Sequence, residues 1–380
     1  MPPAARLRAG LLGLGMMGRH HARVLRSLDG VDLVAVADPG GDAHRVAAGL
    51  ELHRSLEDLV RVGLDYCVVA VPTAYHEEVG LTLAEAGVHA LIEKPLAPDG
   101  EGARRLAETY AARGLVGAVG HIERYNPALQ HLRRRLEQGE LGNVYQVVTR
   151  RQGPFPARIS DVGVVKDLAT HDIDLTAWVA RSRFRSVSAR TAFKSGREFE
   201  DLVAVVGSLE DGTVTNHLVN WLSPLKERVT IVTGEKGAFV ADTLTADLTF
   251  FANGTVPTEW GALAEFRGVS EGDMIRYAFP KPEPLRTEHE AFRDAVLGMP
   301  ADTVTMAQGL AAVAVAEAVI ESASTGRTVD VTLPEVALEE TLEEVTPEAE
   351  RQGTPGEREA ASAGAQGRPS ASRSRASVSP

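Results

Sequence analysis

Three glycines and an aspartate near the N-terminus have the spacing of a phosphate cradle. Gly13, Gly15 and Gly18 follow the apolar run Leu11-Leu12, and Asp38 lies 20 residues beyond Gly18. Gly13 suits the tight turn, and Gly15, with Met16 and Met17 opening the helix after it, lets a pyrophosphate approach the backbone. Gly18 lets that helix pack against the strand. The free N–H groups and positive end of the helix attract phosphate charge. A carboxylate at position 38 accepts both ribose hydroxyls and repels a 2′-phosphate, so the pattern points to NAD rather than NADP. Farther on, Lys94 stands in Glu93-Lys94-Pro95, and Asp167 and His171 are four residues apart, which puts them on one face of a helix. These residue types suit chemistry at a hydroxyl. Removing hydride from a secondary alcohol leaves a protonated ketone unless the hydroxyl proton departs as well. An imidazole titrating near neutrality can take that proton, an ammonium stabilises the developing oxyanion, and a carboxylate can fix a sugar ring or the imidazole.

Positioning these groups requires an alternating chain. Buried strands are expected at residues 7–12, 31–37, 66–71, 88–92 and 116–120, with helical patterns such as 75–86 and 102–112 between them. That alternation reads as a Rossmann-type doubly wound parallel sheet, assigned to residues 1–122. After a helix at 128–138, β-rich stretches follow at 144–151, 186–193, 202–209, 213–221, 228–233 and 239–242. Turns at 210–212 and 234–237 suggest antiparallel meander strands. Helices are expected near 167–180, 287–297 and 307–324. The fold class is thus α/β, with residues 123–336 forming an α+β domain on a large, mostly antiparallel open sheet. Residues 339–350 carry six glutamates, and the segment 337–380 is expected to be a disordered tail, because it holds too little apolar surface to offset its ordering entropy.

Composition narrows the partners. A net charge of −12 argues against nucleic acid, whose phosphates need a basic surface. The single cysteine, Cys67, excludes an intrachain disulfide and sits in an apolar strand pattern, which suits an inert core thiol. The scattered histidines make a metal site unexpected. The N-terminus has no signal-peptide pattern and no apolar run approaches a membrane-spanning length, so no membrane association and a cytoplasmic location are expected. Asp172 and Asp174 read as solvated or helix-supporting charges. His20 and His21 read as packing or phosphate-proximal groups.

Together, the glycine loop with Asp38, Glu93-Lys94-Pro95 and Asp167-Leu168-Ala169-Thr170-His171-Asp172-Ile173-Asp174 make residues 6 to 335 resemble the glucose-fructose oxidoreductase / inositol dehydrogenase / rhizopine-catabolism family (Gfo/Idh/MocA) of NAD(P)-dependent oxidoreductases. The resemblance implies that Lys94 and His171 are the catalytic pair and that Asp167 is a substrate ligand. It also implies that Glu93, Pro72, Thr73 and His76 border the cofactor. The segment His121-Ile122-Glu123-Arg124-Tyr125-Asn126-Pro127 falls at the junction between domains, which makes His121, Arg124, Tyr125 and Asn126 candidate substrate ligands.

With Arg150, Arg151 and Arg158, cations suited to a diphosphate, this segment resembles the branch of UDP-N-acetylglucosamine 3-dehydrogenases. Gly163-Val164-Val165 departs from the Gly-Gly pair of many members. The expected activity is NAD-dependent oxidation of a sugar or nucleotide-sugar hydroxyl, foremost C3 of a UDP-N-acetylhexosamine. The alternatives are an inositol or free-sugar dehydrogenase, an NAD-dependent glycosidase and a non-enzymatic NAD-binding regulator. Val203, Val205, Leu218 and Val219 would leave an apolar sheet face open, so a homodimer or homotetramer is expected.

Overall fold

The computed structural model describes residues 6–156, 162–254 and 272–337. Its first half alternates strand and helix: β1 (Leu7–Leu12), α1 (Met16–Leu25), β2 (Val31–Ala37), β3 (Leu52–His53), α2 (Leu56–Arg61), β4 (Tyr66–Val69), α3 (His76–Glu85), β5 (His89–Glu93), α4 (Gly100–Arg113) and β6 (Gly117–Gly120). These strands form a parallel sheet in the order β3-β2-β1-β4-β5-β6. Strand β4 is buried along its whole length, as expected of a strand covered on both faces. The order reverses beside β1, which opens a crevice at the C-terminal strand ends where such sheets bind ligands. The short β3 and α2 carry patterns too brief to read from sequence.

After α5 (Pro127–Glu137) the chain builds a second sheet from β7 (Val144–Pro154), β8 (Phe184–Ala192), β9 (Leu202–Leu209), β10 (Val214–Asn220), β11 (Leu222–Gly234), β12 (Gly237–Asp242), β13 (Asp247–Ala252) and β14 (Met274–Tyr277), with α6 (Thr170–Ala180) inserted after β7. Two helices, α7 (Pro284–Val296) and α8 (Met306–Thr325), and the short β15 (Val329–Asp330) complete it. The order is β14-β13-β12-β11-β7-β10-β9-β8-β15. This is not a simple meander: β7 lies at the centre, antiparallel to β11 but parallel to β10. Strand pairing across 68 to 90 residues leaves no local pattern, so the expected sequence of hairpins could not reveal it.

One face of this sheet packs on α5, α6 and α8. Val203, Val205 and Val219 point into that core, which corrects their assignment to the open face. Leu218 alone of the four is exposed. Strict alternation decides the matter, because β9 and β10 turn their odd-numbered residues toward the helices. The open face carries a cross-strand row, Val206–Asn216–Val148–Ile231–Val240–Thr249.

Helix α8 joins the two sheets. It packs on α4 and β6 on one side and on β8 and α6 on the other, and a Cβ at Gly309 would stand 2.5 Å from Val119. Contrary to the expectation from sequence, its length and composition are those of a bilayer-crossing helix: it has 20 residues and an 18-residue stretch of mean hydropathy 1.3, 61% of which is buried in the fold. A helix apolar on all sides is what a position between two cores requires. The expected tail beyond Ala337 lies outside the described residues. Thr305 caps α8 in a capping box with Gln308, so Thr305→Ala should lower unfolding free energy by about 1 kcal/mol in chemical denaturation.

Candidate functional site

The glycine loop joins β1 to α1. Gly13 has φ +94°, and a Cβ there would meet the Ala70 carbonyl at 2.5 Å; one at Gly18 would meet the Gly13 carbonyl at 1.9 Å. A Cβ at Gly15 would meet nothing within 4 Å, and no side chain caps α1. Met16 is exposed and Met17 half-buried at the same turn. Open space over uncapped N–H groups is the cradle a pyrophosphate needs, so these residues fit a dinucleotide. Asp38, just past β2, accepts from Leu14 N at 2.7 Å and from Gly40 N at 2.7 Å. Each oxygen keeps a second lone pair for a ribose hydroxyl. Pro72 is exposed and Thr73 half-buried on the loop after β4.

His76 is not brought to this surface. It is buried, with Nδ1 2.8 Å from the Pro95 carbonyl and Nε2 3.0 Å from the Val71 carbonyl. Burial lowers its pKa. It ties the β4 loop to the Lys94 loop and is a structural residue.

At the end of β5, Lys94 donates from Nζ to the Asp167 carbonyl at 2.6 Å and to Asp167 Oδ1 at 3.1 Å. Asp167 lies in a π-helical turn, Val165–Ala169, that leads into α6, and such turns are frequent at functional sites. His171 follows on α6, its ring edge-on to His121 with centroids 6.3 Å apart. Burial, then the charges of Lys94, Arg151, His121 and Arg228, holds His171 well below the usual histidine range, so the imidazole is neutral near pH 7. Four buried atoms here have no hydrogen-bond partner among the described residues: Asp167 Oδ2, His171 Nδ1 and both ring nitrogens of His121. Buried polar atoms left unpaired in this way mark a place for a polar ligand.

Other expected ligands serve the fold instead. Arg124 forks onto Asp174 (Nε 2.8 Å, Nη2 2.6 Å) and reaches Gln308 at 2.7 Å. Tyr125 donates to the Asp302 carbonyl at 3.2 Å. Asn126 caps α5 through Ala128 N at 3.0 Å and donates to the Thr243 carbonyl at 2.9 Å. Each of these side chains is hydrogen-bonded to a partner within the fold.

The expected arginine cluster is also divided. Arg150 pairs with Glu227 on the open sheet face at 2.8 Å, and Arg151 is buried against Asp172 at 3.0 Å and Glu123 at 2.8 Å. Arg158 lies outside the described residues. Asp172 and Asp174, read as solvated, are 2% and 3% exposed. Burial raises the pKa of Asp172; at Asp174 the same burial is outweighed by Arg124 and His121, and the pKa falls. A lone charged letter in a helix does not reveal its partner on a distant strand. The parity of β7, however, sets Arg151 with Val147 and Thr149, opposite Arg150.

A second buried chain supports Lys94 from behind. His21 Nε2 lies 3.0 Å from Glu93 Oε1, and His21 Nδ1 lies 2.9 Å from His289 Nε2 on α7. Burial raises the pKa of Glu93, but its contact with His21 and the charge of Lys94 bring it below the usual value, so it accepts as a carboxylate. The two ring nitrogens of His21 thus bridge the Glu93 carboxylate and the His289 ring. Thus α1, β5 and α7 are locked together directly behind the Lys94 loop. The neighbouring Glu288 is buried without a hydrogen-bond partner among the described residues, and burial, then Glu93, raises its pKa well above the usual carboxyl value of 4.5.

Because Glu288 is protonated in the fold, stability is lost as pH rises past 4.5, where the unfolded chain ionises. Glu288→Gln lacks that penalty. It should unfold at a higher temperature than the parent at about pH 8, with the gap closing toward acid; a less stable variant at the alkaline end would contradict this assignment.

Comparison with known proteins places this geometry. Residues 7–121 match the family model GFO_IDH_MocA, described as "Oxidoreductase family, NAD-binding Rossmann fold", and residues 129–240 match the "GFO/IDH/MocA C-terminal domain". Inositol 2-dehydrogenase 4 of Saccharopolyspora erythraea is 36% identical over 48% of this chain and 57% of its own length. UDP-N-acetylglucosamine 3-dehydrogenase of Acidithiobacillus ferrooxidans is 34% identical over 55% of this chain and 66% of its own. The chain therefore spans less than two thirds of either of these curated relatives. A solved structure of the A. ferrooxidans UDP-N-acetylglucosamine 3-dehydrogenase superposes with a TM-score of 0.75 at 27% identity, covering 84% of this chain and 98% of that one.

Proposed function

We propose, from the premise that this chain belongs to the GFO/IDH/MocA oxidoreductase family, that it is a dehydrogenase using NAD to oxidise a secondary hydroxyl of a sugar or polyol. The observation that supports this reading is the meeting of Lys94 with Asp167, and His171 one turn on, at the strand ends beside the glycine loop. Bound nicotinamide supplies the hydride acceptor. Neutral His171 takes the hydroxyl proton, and Lys94 faces the same oxygen as its charge develops. Asp167 holds Lys94 through its carbonyl and Oδ1, leaving Oδ2 for a ring hydroxyl of the substrate. Buried His121 shapes the wall beside His171.

Two substrates have support. The A. ferrooxidans relative favours C3 of a UDP-N-acetylhexosamine, and the S. erythraea relative favours an inositol. Incubating the full chain with NAD and either UDP-N-acetylglucosamine or myo-inositol should yield NADH and a keto product from one of them; no NADH from either would overturn this pair. Lys94→Ala and His171→Ala should each lower turnover by about two to four orders of magnitude. Because His171 stays neutral below the usual histidine range, kcat/KM should hold as pH falls through about 6.5 and decline only in more acid solution.

The open face of the second sheet supports a homodimer or homotetramer. Val206 is 50% exposed, Phe251 44% and Met274 67%, and an apolar sheet face of this kind fits a second copy. Light scattering should give a multiple of 40.5 kDa that falls to the single-chain mass in Val206→Glu; a monomeric parent would refute the pairing.

A further inference from the structure

Among the described residues, Arg228 stands beside the site without a carboxylate of its own. In the β7–β11 ladder it lies directly across from Arg151, and residues opposed in this way project from the same face. Thr230 and Val232, which share its parity, are buried on the helix side. Arg228 therefore points with Arg151 toward the start of α6, where Asp167, His171 and Asp172 lie. Its neighbour Glu227 points to the other face and is taken by Arg150 at 2.8 Å and Gln152 at 2.5 Å.

Arg151 already occupies both Asp172 and Glu123, and Lys94 occupies Asp167. What remains for Arg228 among the described residues is a pair of carbonyls, of Gln152 and Glu227, each accepting from Nη1 at 3.0 Å. Carbonyls orient a guanidinium but do not neutralise it, and Nη2 and Nε stay uncommitted.

The backbone of Arg228 is braced as well, its carbonyl accepting from Thr243 N at 2.9 Å, and the Thr243 carbonyl in turn accepting from Asn126. The result is a half-buried, pre-oriented cation on the sheet face of Arg151, which holds Asp172 of α6. Its charge is felt at the site: burial first, then the positive charge of Arg151, lowers the pKa of Arg228 itself, and Arg228 in turn helps hold His171 neutral.

We propose that Arg228 recognises an oxyanion substituent, a carboxylate or phosphoryl group, on the sugar whose hydroxyl faces Lys94 and His171. This inference rests on the dehydrogenase reading above and narrows its substrate class to anionic sugars. A guanidinium edge matches the paired oxygens of either group.

The test uses the full chain with NAD and three related sugars: D-glucose, D-glucuronate and D-glucose 1-phosphate. The parent should prefer one anionic member over D-glucose in kcat/KM, and which member wins identifies the oxyanion. Arg228→Gln keeps an N–H donor for the two carbonyls but removes the charge. It should lower the anionic-to-neutral ratio by roughly 10- to 100-fold, mostly through KM, as loss of a charged hydrogen bond predicts. Arg228→Lys, which keeps the charge, should retain most of the ratio. An unchanged ratio in Arg228→Gln, or a parent that prefers D-glucose, overturns the proposal.

Calorimetric titration of D-glucuronate and D-glucose 1-phosphate into NADH-saturated protein separates this from failure of the dehydrogenase reading. Binding that Arg228→Gln abolishes supports the anion site even where no sugar reduces NAD. Equal binding by parent and variant, or none by the parent, rejects it.

Discussion

The contact between the Lys94 ammonium and Asp167 is the constraint on which the site depends. It joins the end of a strand in one sheet to the π-helical turn leading into the helix that covers the other, and it does so through both a carbonyl and a carboxylate. A largely buried ammonium needs such partners, since an unpaired charge at that depth is costly. The two sheets must therefore meet at one distance and one angle. His171, a turn further along α6, inherits its position from that meeting.

Around the contact the buried polar groups fall into two kinds. Arg124 with Asp174, and Arg151 with Asp172 and Glu123, are closed pairs whose hydrogen bonds are made within the protein. They act as rigid frame, because separating either pair would strand a buried charge. Asp167 Oδ2, His171 Nδ1 and the His121 nitrogens are open, as is the free edge of Arg228. The division between satisfied and unsatisfied groups outlines the cavity wall more sharply than shape does, since only the unsatisfied groups gain free energy from a ligand.

Behind the site, α8 and the His289–His21–Glu93 chain hold the same geometry from the far side. α8 is apolar around its circumference because it faces a core in each direction. The histidine chain adds direction to that packing. Hydrogen bonds fix the azimuth of α1 against β5, whereas apolar contact alone leaves a helix free to shift by fractions of an ångström. The glycine loop at one end of α1 and the Lys94 loop at the end of β5 are thereby set relative to each other.

Local chemistry made the first sheet and the glycine cradle legible from sequence. Gly13 and Gly18 are required by backbone clashes within one loop, and the strands β1, β2 and β4 are buried on both faces, so their apolar runs announce them directly. The motif residues Lys94, Asp167 and His171 could be singled out for the same reason, since each stands in a short run of recognisable chemistry.

Pairing in three dimensions was not legible. The parallel union of β7 with β10, the inward turn of Arg151 beside an outward Arg150, and the closure of Arg124 on Asp174 all join residues that are 20 or more positions apart. Arg124, Tyr125 and Asn126 looked like ligands because polar residues at a domain junction are ambiguous until their partners are known. Arg228 looked like any strand arginine for the converse reason. Residue type says what a side chain is able to do, but burial and the nearest opposite charge decide whether that capacity is spent inside the fold or kept for a ligand.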